Sequence, residues 1–191
     1  MKKISNANKV KAYYGSTVDF NQWDITKTRE FGYHFGIEDA EQSLHRIRNK
    51  GHLYEVILTF SNPIKMKDAM RWDLTAIANG LGIPKEEISK IENEARVNAR
   101  KNFSNLSVEK NLIAEKILNQ SGYDAILYDN EGESGGKAII IWNPNQIQVI
   151  NHIPITGEND FEGKKKSSLN LRYLKIIRLF KSSSNFEHKS I

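Results

Sequence analysis

Three short strand-like runs follow one another late in the chain: "DAILYD" (124–129), "KAIIIWN" (137–143) and "QIQVIN" (146–151). A glycine-rich link joins the first pair and Asn-Pro-Asn joins the second. Strands in unbroken succession argue against a regularly alternating doubly wound sheet. The rest of the chain agrees. Residues 9–16, "KVKAYYGS", read as a short strand entering a turn, and residues 17–30 as a loop packed by Phe20 and Trp23. From Ile37 the pattern turns helical, with Ala40, Leu44 and Ile47 at i, i+4 and i+7. "HLYEVILTF" (52–60) is strand-like and ends at Ser61-Asn62-Pro63.

Residues 68–81 then allow a short helix with Trp72, Ala76 and Ile77 on one side. Pro84 suits the first turn of another helix running to about residue 101, with Glu86 and Glu87 at its positive end. Ser107 is a plausible cap for a third, ending before Gly122. The mixed charges of 84–120 read as scaffold. The outline is strand, helix, strand, helices, three strands: class α+β.

The formal net charge of +5 is unevenly placed. Residues 161–191 carry eight Lys/Arg against two Glu, a net +6, which leaves −1 on the rest. The chain therefore divides into a near-neutral domain, 1–157, and a basic tail, 158–191, and the charge is no argument that the domain itself binds nucleic acid. In the tail, Leu171, Leu174, Ile177 and Phe180 alternate with Arg172, Lys175, Arg178 and Lys181. Both sets step by three, so as an α-helix each drifts around the axis instead of forming a clean face.

Several chemistries find no support. There is no cysteine, hence no disulfide, thiolate site or cysteine nucleophile, which fits a reducing cytoplasm. No apolar run reaches the roughly 18 residues of a membrane span. Neither common nucleotide-binding glycine fingerprint occurs, nor HExxH, and no two of the five histidines have helical ligand spacing, so no metal site is expected.

Three segments stand out. "YYGS" (13–16) sets aromatics against a glycine and a hydroxyl at a strand end. "REFGYHFGIEDAEQSLHRI" (29–47) places His34 among apolar residues and glycines before a helix. "YDNEGESGGKAIIIWNPNQI" (128–147) puts acids and glycines before an apolar strand. Taken singly, these read as a strand exit, a half-buried strand whose histidine bonds to backbone, and a solvated hairpin loop. Taken in order, they resemble the ADP-ribosyltransferase-like domains of phage and mobile-element polyvalent proteins. "YYGSTVDFNQWD" is similar to that group's first motif, "GYHFGIEDAEQSL" to its second, and "VILTFSNPIKMKDAMRW" to its strand-Asn-Pro-Trp stretch. "GYDAILYDNEGESGGKAIIIWNPNQI" is similar to its closing segments. The resemblance spans roughly residues 12–150.

That resemblance implies a split, antiparallel or mixed sheet with flanking helices, and transfer of ADP-ribose from NAD to a protein or nucleic-acid acceptor. It implies Glu133 as the carboxylate that stabilises the oxocarbenium-like ribose, with Glu131 second, because Lys137-Ala138 leave the following strand without an acid. Gly15 and Gly32 would admit close backbone approach, Ser16 would bond a ribose, and Tyr14 and Phe35 would wall the nicotinamide ring. His34 would bond the ribose or position the acceptor. Tyr14 stands where the family has histidine; it keeps a hydroxyl but carries it roughly two ångströms further out. Two other readings follow from the same residues. One is an inactive transferase-like module that binds a nucleotide or protein; the other is a chain that docks through its basic tail on nucleic acid or an anionic membrane.

Overall fold

The computed structural model describes residues 7–37, 40–47, 50–131 and 135–155. The tail, from 156 onward, lies outside the described residues, as does Glu133. Seven strands form one sheet: β1 (Asn8–Ser16), β2 (Tyr33–Ile37), β3 (Gly51–Phe60), β4 (Pro63–Lys65), β5 (Ala125–Asp129), β6 (Lys137–Ile141) and β7 (Ile147–Ile155). Four helices accompany them: α1 (Glu41–Ile47), α2 (Leu74–Gly80), α3 (Lys85–Asn102) and α4 (Leu106–Gln120). The strand order is β4-β5-β6-β2-β1-β3-β7. Only β4 and β5 run parallel, so the sheet is mixed and the class α+β, as the strand succession implies.

Alternation along the strands gives each face its own core. On one face Ile126, Tyr128, Ala138, Ile140 and Trp142 meet Phe31, Trp72 and the buried sides of α2, α3 and α4. On the other, Ala12, Tyr33, Phe35, Tyr54, Val56, Ile139 and Ile141 form a second core, closed over by Phe20 and Trp23. Residues 17–30 are thus a lid of loop and one short 3₁₀ turn, Ile25–Lys27, held by its rings.

Four elements depart from the sequence outline. The helix expected over 68–81 begins only at Leu74, after the Asp73 cap, so Trp72 precedes it. β2 begins at Tyr33, and the helix does not start until Glu41, because the glycine-flanked "YHFGI" pairs with both β1 and β6. β3 ends at Phe60, as expected, but a short strand absent from the outline, β4, follows at Pro63; Asp124 holds the bend between them by accepting from the Ser61 and Asn62 amides at 2.6 and 2.8 Å. α4 is capped by Asn105, whose side chain accepts from the Ser107 amide at 3.0 Å, so the cap lies two residues before the expected serine. Pro84 sits at the N-cap of α3, one position before the first turn expected for it, and Glu86 and Glu87 lie in that turn, as the sequence predicts.

Candidate functional site

A cleft of about 490 Å³ opens where β1 ends, β2 begins and the 17–30 loop crosses. Its walls include Tyr14, Ser16, Gly32, Tyr33, His34 and Arg46. Pockets of roughly 300–1,000 Å³ are the usual size for cofactors and small substrates. Four residues singled out by sequence, Tyr14, Ser16, Gly32 and His34, therefore meet at one opening.

Tyr14 is the hub of an aromatic cluster. Its ring centroid lies 5.2 Å from Trp23, 5.5 Å from Phe35, 5.8 Å from Tyr33 and 5.9 Å from Phe20, mostly edge to face. Packing accounts for the ring, yet its hydroxyl makes no hydrogen bond among the described residues, although Tyr14 lines the cleft. Burial raises its pKa, so the phenol stays protonated and able to donate. Phe35, on the same face as Tyr33 and Ile37, is fully buried and acts as floor beneath Tyr14.

Two other tyrosines fix the loop. The Tyr54 hydroxyl accepts from the Phe20 amide at 3.0 Å and reaches Asp19 Oδ1 at 2.9 Å. The Tyr33 hydroxyl accepts from the Asp24 amide. Burial drives both phenols up to about 12. A Tyr54→Phe variant strands the Phe20 amide and frees Asp19. The expected loss is about 1–2 kcal/mol in urea unfolding, with unchanged far-UV dichroism; an unchanged midpoint would mean water replaces the hydroxyl.

His34 lies on the opposite face of β2 and is buried. Nε2 is 3.1 Å from the Phe31 carbonyl and Nδ1 is 3.1 Å from the Tyr128 hydroxyl. A carbonyl only accepts, so Nε2 carries the proton and Nδ1 accepts from Tyr128. Desolvation, aided by the nearby Arg46 charge, lowers its pKa to about 3. His34 is therefore neutral at ordinary pH with both nitrogens engaged; it ties β2 to β5 and to the Phe31 turn.

Ser16 is likewise engaged: its hydroxyl donates to the Val18 carbonyl at 2.7 Å and accepts from the Val18 amide at 3.2 Å, closing the turn into the lid. Gly32 has φ +69°, and a Cβ there would come 2.5 Å from Ile140 Cγ2. A side chain at Gly15 would meet not open space but the backbone of α1. The glycine pattern marked a close approach; the approaching group is the Ser43 carbonyl.

The charge at the mouth was not legible in the sequence. Lys27, Arg29 and Arg46 face Asp24 and Glu30, a formal balance of +1. Lys27 lies 3.6 Å from Asp24, and Arg46 donates to the His34 carbonyl at 3.3 Å. Nothing in the spacing of residues 27–46 brings these cations together; the antiparallel start of β2 and the return of α1 do.

Glu131 is not part of the cleft wall. Register sets Gly36 against Ala138 and Asp129 against Lys137, so the end of β5 and the start of β6, with Glu131 just beyond β5, lie at the far end of β2 from Gly32. The three-residue step from Tyr33 to Gly36 is about 10 Å at the strand rise. Glu131 is exposed, with its amide donating to Asp68 at 3.0 Å.

A family model described as ADP-ribosyltransferase in polyvalent proteins matches residues 6–154. The chain belongs to that family. The segments "YYGS" and "GYHFG" contribute Tyr14, Ser16, Gly32, Tyr33 and His34 to the cleft, and the loop between them and Arg46 supply the rest of its wall. Two solved structures are also similar. One is described as an anti-CRISPR protein, with 16% identity, a TM-score of 0.36, and coverage of 76% of this chain and 96% of that one. The other is the M. tuberculosis MbcT-MbcA toxin-antitoxin complex, with 11% identity, a TM-score of 0.35, and coverage of 81% of this chain and 87% of that one. No curated protein matches the sequence. Among the described residues, no helix is long and apolar enough to cross a membrane.

Proposed function

We propose that the protein is an NAD-dependent ADP-ribosyltransferase that moves ADP-ribose to a protein or nucleic-acid acceptor and releases nicotinamide. The observation that carries the reading is the cleft, to which "YYGS", "GYHFG" and the loop between them contribute, with the Tyr14 hydroxyl unbonded among the described residues and Arg29 and Arg46 in the same wall. Its cationic edge suits a pyrophosphate, and the Tyr14 phenol suits a ribose hydroxyl. Gly32 keeps the wall thin where a dinucleotide would pass.

The step is a glycosidic displacement. The bond between C1′ and the nicotinamide nitrogen breaks, and its electron pair leaves with nicotinamide, which departs neutral. Positive charge spreads over the sugar, and the acceptor attacks C1′ and loses its proton. Glu133, on the link between β5 and β6, supplies the carboxylate that stabilises that charge, and Glu131 orients the acceptor. His34 acts as a positioning residue by holding β2 against β5, not by moving a proton.

Labelled NAD, incubated with the protein and cell lysate, tests the reading. The expected result is nicotinamide release with label on an acceptor, reduced roughly 100-fold or more by Glu133→Gln. Equal transfer by that variant removes Glu133 from the mechanism. No calorimetric binding at millimolar NAD overturns the enzyme.

A further inference from the structure

Beside the cleft, three side chains that the transferase reading does not use converge. His52 stands on β3, His152 on β7, and Asp19 in the lid. His52 Nδ1 is 3.0 Å from His152 Nε2; Asp19 Oδ1 is 3.9 Å from the first and 3.6 Å from the second. These edges define a triangle. The point equidistant from its corners lies about 2.1 Å from each atom, within the reach of zinc bonds to imidazole nitrogen and carboxylate oxygen, roughly 2.0–2.2 Å.

We propose that Asp19, His52 and His152 bind a divalent transition metal of the zinc class, which clips the lid to the edge of the sheet. Two imidazoles and one carboxylate are a borderline-soft donor set suited to such ions, leaving a fourth position for water. The backbone is arranged for it. Between Glu55 and Val56 the β3–β7 register shifts: Val56 faces Val149 and Glu55 faces Asn151, so Ile150 is an extra residue. Without that bulge His152 would stand opposite Leu53, on the other face. With it, His152 stands opposite Tyr54 on the face that carries His52.

Supporting contacts fix two of the three ligands. The Tyr54 ring stacks on His152 with centroids 4.5 Å apart and planes at 2°. The Tyr54 hydroxyl also holds Asp19 Oδ1 at 2.9 Å, as outer partners of metal-bound carboxylates do. The consequence reaches the cleft, because Val18 and Phe20, on either side of Asp19, line it. A bound ion would fix that wall.

Metal binding does not depend on the transferase reading, and its test needs no NAD. The untagged full chain, stripped with chelator, is titrated with Zn²⁺ by calorimetry and melted with and without the ion. The expected result is one Zn²⁺ per chain and a melting temperature raised by about 5–10 °C at saturation. Asp19→Ala, in the exposed lid, and His152→Ala should each weaken binding by more than ~10-fold, the loss typical of removing even an outer partner. Circular dichroism checks that both remain folded. No saturable binding, or one equivalent retained by the Asp19→Ala/His152→Ala double variant, overturns the site and leaves an imidazole–imidazole hydrogen bond in its place.

Discussion

Gly15→Ala is expected to cost the protein about 3 kcal/mol or more, a large share of the roughly 5–15 kcal/mol that keeps a domain folded. A Cβ at Gly15 would lie 2.0 Å from the Ser43 carbonyl oxygen, 2.9 Å from its carbon and 3.1 Å from Ile47 Cγ2. The first two are backbone atoms, which cannot rotate away. Ser43 is itself locked, since its hydroxyl donates to the Tyr13 carbonyl at 2.7 Å in a buried setting. Making room would push α1 off β1, lift buried Leu44 and Ile47 from the sheet, and carry Arg46 away from the His34 carbonyl. The variant should show a urea midpoint lowered in proportion, with the slope unchanged. A wild-type midpoint would mean that α1 slides freely. Any loss of NAD turnover in this variant has to be judged against its folded fraction, because α1 also builds the cleft wall.

Gly15 also shows what a sequence can carry. The pattern "YYGS" announces that something passes close to a glycine, since absence of a side chain is local information. It does not announce what passes, because α1 arrives from 28 positions later by a route that only the sheet defines. Ala40, Leu44 and Ile47 declared a buried helix face through their spacing, and all three are buried. Phe20 and Trp23 declared a loop packed by rings, and both close the second core. β2 was harder: a five-residue central strand flanked by glycines has too little length for its alternation to stand out beside the helix that follows.

Long-range charge and ligand geometry left no trace in spacing at all. Arg29 and Arg46 line one cleft because α1 packs against β1 and β2. His52 and His152, separated by 100 positions, meet only because β3 and β7 are neighbours and one bulged residue reverses the face of the second. The closing motif is the opposite case. "NEGESGGK" is distinctive as text, yet strand register sets the two strands that flank it with Asp129 and Lys137 at the Gly36 end of β2, away from Gly32.

Acid should unfold the protein through His34 before the carboxylates take effect. In the unfolded chain this imidazole titrates near its ordinary value of about 6.5, whereas in the fold burial holds it at about 3. Above the upper value both states are neutral and stability is whole. As pH falls between the two values, the unfolded state takes up a proton that the native state refuses, so stability declines and the loss is complete only below the lower value. Each unit is worth about 1.4 kcal/mol, so the cost at pH 4.5 is roughly 3 kcal/mol. Asp19 and Asp24, held low by hydrogen bonds from Tyr54 and Thr26, add their share only at more acid pH. Protonating His34 in place would also turn Nδ1 from acceptor to donor against Tyr128 and set a charge beside Arg46. His34→Gln keeps a donor for the Phe31 carbonyl and an acceptor for Tyr128 but does not titrate. Its stability should fall more shallowly than wild type from pH 6.5 to 4.5 in urea unfolding, with the two curves converging above pH 7 once a constant offset for the substitution is removed. Parallel curves through that window would show that the folded His34 takes up its proton in the same range as the unfolded chain, with Nδ1 then donating to the Tyr128 hydroxyl.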